Sequence, residues 1–209
     1  MKKSLQGNGF FSIDSPEIKR FIPKSLFSSS AADLEIAVAL YYEVRDRIFY
    51  NPFKINLDFA DYSVSNVIKD GEGHCIDKAG VLIACLRKMG IPAKLGLARV
   101  KNHMGTSKLE EKLKTQVLVP HGYVEVFLNE KWVKCTPAFN KELCYKLGLA
   151  PLEWDGKNDS QLQSFNESNS EFMEYLEDYG GFSEIPQELI KSLMITEYPH
   201  MFVNGRWQD

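Results

Sequence analysis

The stretch Gly71 to Pro92, GEGHCIDKAGVLIACLRKMGIP, restricts the fold more than any other part of the chain. Two glycines precede a cysteine at a helix start. Apolar residues follow at Ala79, Val81, Leu82, Ile83, Leu86 and Met89. Gly90 closes the helix and Pro92 forbids its continuation, so start and stop signals are both present. A helix apolar on most of its circumference is a buried helix. It therefore needs other elements on several sides and would hold Cys75 rigidly at its front. There the thiol meets unpaired backbone N–H groups and the positive end of the helix dipole, which favour thiolate, the reactive form. Cys75 is accordingly read as a nucleophile, and the remaining chain is searched for a base.

Before this helix the signals are helical. Ser15-Pro16-Glu17 opens a short helix that Pro23 interrupts. A longer one follows, capped by Ser30 or Asp33, with Leu34, Val38, Tyr41, Val44 (or Arg45) and Ile48 marking a face, and Asn51-Pro52 ends it. Asn56 to Tyr62 is irregular, and Ser63 caps a short helix from Val64 to Lys69. After Pro92 the period changes to two. Ala93, Leu95, Leu97 and Arg99 alternate with their neighbours in a strand, followed by a loop, Lys101 to Gly105, and a charged short helix from Lys108 to Lys114. A hairpin comes next, with strand Val117 to Leu128, turn Asn129-Glu130 and return strand Lys131 to Thr136. A helical stretch spans Asn140 to Leu147. Beyond Ala150 a polar loop precedes two expected helices, Ser170 to Tyr179 and Pro186 to Thr196. Segregated helices and antiparallel strands, without β-α-β alternation, argue for an α+β fold. The 209 residues suit a single domain, 1–209, with its core at about 31–140 and an extension at about 150–209.

Composition narrows the function. The net charge is −3 and no Lys/Arg stripe is evident, which speaks against nucleic acid. No apolar run approaches the ~20 residues of a membrane span, and Met1 to Ser30 lacks the apolar region of a signal peptide. A cytoplasmic protein with free thiols is expected. Cys75 and Cys85, about 15 Å apart on one helix, cannot pair, although Cys135 and Cys144 could. Metal-ligand residue types are present, but none shows the close paired spacing of structural zinc sites, and no calcium loop or phosphate-binding glycine loop is found. No metal or cofactor is expected.

His121, at the start of a strand of the hairpin, is the candidate base. A Cys–His pair works because imidazole takes the thiol proton and later protonates the leaving group. A third group should hold the imidazole, and it should come from the return strand. His103, in a loop, is a further candidate to reach the cleft.

Three segments together resemble a bacterial transglutaminase-like domain: Cys75 in its Gly-x-Gly-x-Cys context with Leu86-Arg87-Lys88-Met89-Gly90-Ile91-Pro92-Ala93, then His121-Gly-Tyr-Val-Glu-Val, then Lys131-Trp132-Val133. That family shares the papain-like cysteine-peptidase architecture, and the resemblance covers roughly Ala31 to Asn140. It implies N-terminal helices, a buried nucleophile-bearing helix packed on an antiparallel sheet, and here extra helices at the C-terminus. It also implies Cys75 as nucleophile and His121 as base. The family typically carries Trp-x-x-x-Asp-Pro-Thr, in which the Asp orients the His. Here the segment is Trp132-Val133-Lys134-Cys135-Thr136-Pro137-Ala138, so Thr136 stands at the Asp position. The orienting group is therefore Thr136 or Asn140. The oxyanion would sit on the backbone N–H of Cys75, with Ser65 or Asn66 as side-chain donors, and His74 as a cleft-wall contact to substrate. The reading is a cysteine-dependent acyl-transfer enzyme acting on a peptide, protein or small amide through a thioester, more readily by hydrolysis than by cross-linking. The alternative is a non-catalytic binding module on the same fold.

Overall fold

The computed structural model describes residues 2–5, 7, 9–59, 62–103, 107–162, 173–203 and 206–208. In chain order its helices and strands are α1 (Pro16–Phe21), α2 (Lys24–Phe27), α3 (Asp33–Arg47), β1 (Phe49–Tyr50), α4 (Val64–Asp70), β2 (Glu72–Gly73), α5 (Cys75–Lys88), β3 (Ala93–Asn102), α6 (Ser107–Leu113), β4 (Val117–Leu128), β5 (Lys131–Cys135), α7 (Lys141–Lys146), β6 (Met173–Phe182), α8 (Gln187–Glu197), β7 (Phe202–Val203) and β8 (Arg206–Trp207). Residues 104 and 105 of the expected loop lie outside the described residues.

The Cys-bearing helix α5 is buried from Cys75 through Arg87. It lies on β3 and β4 of a four-stranded antiparallel sheet ordered β5-β4-β3-β6, while α3 and α4 pack on its other sides. Its apolar residues join the main core with Leu40, Tyr41 and Val44 of α3, Val64 and Val67 of α4, and Val124 and Val126 of β4. Two buried basic side chains on α5 are answered by backbone carbonyls. Lys78 Nζ donates to the carbonyls of Arg45 and Ile48 and so ties down the end of α3. Arg87 donates to the carbonyls of Ala93 and Ser183, joining the end of α5 to the start of β3 and the end of its neighbour β6. The fold is thus the α+β arrangement expected, a helix buried against an antiparallel sheet.

The hairpin is where the pattern places it. Asn129 and Glu130 both adopt positive φ (47° and 65°), the twist a two-residue hairpin turn needs, without the usual glycine. Three readings are corrected. The N-cap of α3 is Ala32, whose N–H is answered by Glu35 Oε2 at 3.0 Å, not Ser30 or Asp33. The buried face of α3 is Ile36, Ala37, Leu40, Tyr41, Val44 and Arg45, rotated away from Leu34 and Val38. The extra C-terminal helices reduce to α8: the expected helix at 170–179 is instead strand β6, its first residues, 170–172, lying outside the described ones. The free edge of β3 carries unpaired backbone groups, and pairing them outweighs the modest helix propensity of MEYLEDYGGF.

Candidate functional site

The site lies where the first turn of α5 reaches across β4. Short β1 pairs in parallel with β2, Tyr50 opposite Gly73, which brings Tyr50 beside the α5 start. His74 is the N-cap. Its backbone N–H donates to Asp77 Oδ2 at 3.1 Å, and its Nδ1 lies 2.8 Å from the same oxygen. Nδ1 also lies 3.3 Å from the Asp77 N–H. One neutral ring nitrogen cannot both donate and accept. The shorter, charge-assisted contact decides, so Nδ1–H donates to the Asp77 carboxylate. Asp77 is fully buried, and a Cβ on Gly73 would lie 2.7 Å from the Asp77 Cβ. Glycine at 73 is what allows this closeness.

Cys75 is 8 % exposed, and its Sγ accepts the Gly122 N–H at 3.4 Å. A Cβ on Gly122 would sit 2.9 Å from the Ile76 Cα and 3.0 Å from its N, so the two backbones meet because residue 122 has no side chain. This contact brings β4, and His121 with it, to the thiol. The expectation of a resting thiolate is corrected. Burial pushes the Cys75 thiol up to about 11, with Asp77 adding to the rise, against a smaller lowering from the Gly122, Ile76 and Cys75 N–H groups. The helix-start groups act in the direction expected, but desolvation of the charged sulfur is larger.

His121 is 3 % exposed, and burial, reinforced by the neighbouring His74, lowers its pKa to about 4. Its side chain lines two cavities. One, of about 60 Å³, it shares with Cys75, His74, Ile76 and Tyr50. The other, of about 10 Å³, it shares with Thr136. On β5, Cys135 pairs with Val124 and packs in the core, so Thr136, one residue on, points to the opposite face. His121 Nε2 and Thr136 Oγ1 are both buried without a hydrogen-bond partner. Asn140 is placed differently. It is the N-cap of α7, its Oδ1 accepts the Tyr50 N–H at 3.2 Å, and it lines neither cavity.

The other side-chain candidates stand apart. Asn66 Oδ1 accepts from the N–H of Ser63 at 3.0 Å and caps α4, and Ser65 is on the same helix; neither lines the Cys75 cavity. His103 follows the far end of β3, 3.2 Å from Glu174, and also lies off this cavity. Asn66, expected with Ser65 as a side-chain oxyanion donor, is instead engaged in the cap of its own helix.

Several wall residues gave no signal in the sequence. Tyr50, Phe53 and Ile55 line the Cys75 cavity from the loop after α3, and Leu109 and Leu113 from α6. Met194, Tyr198 and Trp207 line it from the C-terminal segment. Tyr198 straps that segment to β4, its Oη accepting the Val119 N–H and donating to the Val117 carbonyl, both at 2.8 Å, two residues before His121. The wall is apolar, with Lys112 its charged side chain and no Asp or Glu among the described lining residues. A third cavity, of about 260 Å³, shares Tyr50, Pro52, Phe53, Leu109 and Leu118 with it and extends to Leu143 and Leu147. Among the described residues no three His, Cys, Asp or Glu side chains group to hold a metal ion, and no helix is long and apolar enough to cross a membrane. None of the four cysteines forms a disulfide.

Residues 21–137 match the family model of the transglutaminase-like superfamily, more than half of the 209. No curated protein matches the chain. Among solved structures, a candidate cysteine protease from Cytophaga hutchinsonii is 16% identical with a TM-score of 0.48 over 65% of this chain and 40% of its own. A candidate protease from Parabacteroides distasonis is 15% identical with a TM-score of 0.40 over 64% of this chain and 24% of its own. The chain thus spans less than half the length of either.

Proposed function

The chain belongs to the transglutaminase-like superfamily, and from that membership we propose that it is a cysteine-dependent acyl-transfer enzyme, with Cys75 as nucleophile and His121 as the acid–base group. The observation that carries the reading is the Gly122 contact. It gathers Cys75, His121 and the start of α5 around one apolar cavity. With the thiol raised to about 11 and the imidazole lowered to about 4, the resting pair is neutral thiol and neutral imidazole. Attack is therefore base-assisted. Cys75 Sγ bonds to the amide carbon as its proton passes to His121, and the oxyanion is held by the backbone N–H groups at the start of α5. Collapse breaks the C–N bond, and imidazolium protonates the departing amine. Water then attacks the thioester, giving its proton to His121, and the acid is released with the thiol restored.

Hydrolysis is favoured over amine transfer by the lining of the cavity. A primary amine acceptor arrives as a cation at neutral pH, and the described wall offers it Lys112 and no carboxylate. The same wall favours an acyl side with a large apolar group, because burial against Phe53, Leu109, Met194 and Trp207 rewards apolar area. His74, fixed by Asp77, contributes a polar contact to substrate at the rim of the nucleophile.

The test uses peptide anilides that differ in the residue donating the scissile carbonyl. Hydrolysis is expected with Phe or Leu there, at least about tenfold above Gln or Lys, the discrimination expected of an apolar pocket. Cys75→Ala is expected to abolish turnover with an unchanged circular dichroism spectrum. Turnover by Cys75→Ala would overturn the reading, and so would alkylation of wild-type Cys75 no faster than that of Cys85, Cys135 and Cys144. The second of these outcomes is the one that a binding module would give.

A further inference from the structure

We propose that the space between His121 and Thr136 is a binding site for one small hydrogen-bonding guest, water in ordinary solution, which links the imidazole to the hydroxyl and orients His121. The inference rests on His121 being the base. Two observations carry it. His121 Nε2 and Thr136 Oγ1 are both shielded from solvent with no partner, on side chains 3 % and 5 % exposed. Both residues line one cavity of about 10 Å³, close to the space one water requires. An orphaned polar atom is costly when buried, and here one guest satisfies two of them. The other walls are mostly apolar, including Ala138, Leu152 and Leu162. Gln161 is the other polar side chain on the lining, and its Nε2 donates to Tyr175 Oη at 3.0 Å.

The bridge also settles which ring nitrogen works. Nε2–H donates to the guest oxygen and the guest donates to Thr136 Oγ1. Nδ1 is then the bare nitrogen that takes the Cys75 proton, while the Nε2 proton stays in place through the cycle. Titratable groups around His121 come from the other cavity: His74, Cys75, Tyr50, Lys112 and Tyr198. No carboxylate lines either cavity among the described residues. The guest therefore orients His121 without supplying the charge that would raise its basicity, in keeping with a pKa held down by burial and His74.

The experiment measures the rate at which iodoacetamide alkylates Cys75 at neutral pH, which needs no substrate. Thr136→Val keeps the shape and removes the hydroxyl; a fall of about tenfold is expected, part of the usual general-base contribution. Thr136→Ser should stay within about twofold of wild type, since the hydroxyl is retained. Thr136→Ala enlarges the cavity, and formate, a small carboxylate, should restore its rate saturably where chloride at equal ionic strength does not. Three outcomes overturn the proposal: Thr136→Val at the wild-type rate, formate without effect on Thr136→Ala, or formate accelerating wild type equally. If Thr136→Val does not fold, the formate series decides. Failure of the underlying reading looks different, as His121→Gln would then alkylate as fast as wild type.

Discussion

The two flanks of the Cys75 cavity are built on opposite terms. On the helix flank the described buried side-chain polar atoms of the first turns find partners, with one exception. His74 and Asp77 close on each other, and Lys78 holds two carbonyls of α3; the orphan is Asp77 Oδ1. On the strand flank, His121 Nε2 and Thr136 Oγ1 are buried without a partner from the protein, and the guest proposed between them is what orients the imidazole. The helix flank spends hydrogen bonds to fix the start of α5, where Cys75 sits. The strand flank gives His121 Nε2 no protein partner and presents the residue through Gly122 and the Tyr198 strap. Position is thus enforced by the backbone on one side and by packing on the other, and each side should fail in its own way.

The largest effect is expected where the flanks touch. Gly122→Val places carbon 2.9 Å from the Ile76 Cα, where backbone rather than a pliable side chain must yield. A loss of about 3 kcal/mol of stability, the upper part of the overpacking range, should accompany loss of selective Cys75 alkylation. Denaturant unfolding and a labelling time course check both. A stable, rapidly labelled variant would show that the contact does not set the site.

Acid should break the strand flank first. His121 ionises near pH 4 in the fold and near 6.5 when unfolded, so the folded state favours the neutral ring. Its contribution is complete above pH 6.5 and is lost as pH falls toward 4, about 3 kcal/mol in all. Asp46 and Asp178, held low by Arg45 and Lys134, lose their contributions in the same direction. Urea unfolding from pH 7 to 4 should therefore show a steep decline for wild type and a shallower one for His121→Gln. Equal slopes would mean that burial does not hold the imidazole neutral in the fold.

The same contrast explains what the chain alone made legible. Helix α5 and the β4–β5 hairpin could be read because their evidence is local: apolar spacing, Gly90 and Pro92 as stops, a two-residue polar turn. Cys75 and His121 followed from those elements. The thiolate did not, because dipole and N–H effects are written in the first turn while desolvation depends on α6, α8 and β4 arriving from elsewhere. Strand β6 was misread because only the open edge of β3, far away in sequence, makes it a strand. Thr136 and Asn140 were indistinguishable on a line. Their difference is that Asn140 answers Tyr50 whereas Thr136 shares a cavity with His121. The strap of Tyr198 pairs residues about eighty positions apart and leaves no local pattern.

That strap gives the next prediction. Tyr198→Phe removes one hydroxyl and leaves the Val119 N–H and the Val117 carbonyl unanswered beside His121. A buried donor stripped of its partner costs about 2 kcal/mol. Because the strap positions β4 rather than α5, the variant should slow Cys75 alkylation while the exchange protection of α5 amides is unchanged. Loss of α5 protection would mean that the C-terminal segment stabilises both flanks alike.

The smallest effect should come from Asp77→Asn, although Asp77 is fully buried and next to the nucleophile. The amide oxygen can still accept the His74 backbone N–H, as Asp77 Oδ2 does now, so the N-cap box survives in part. What is lost is the charge that receives His74 Nδ1–H and that helps keep the Cys75 thiol high. The two losses act in opposite directions on the site. The cap weakens by about 1 kcal/mol, seen as a small fall in unfolding free energy. The thiol, relieved of a neighbouring anion, should drop below its wild-type value near 11, so the pH profile of alkylation shifts to lower pH while the fold weakens. An alkylation profile that moves up, or does not move, would show that Asp77 bears on Cys75 through the cap alone.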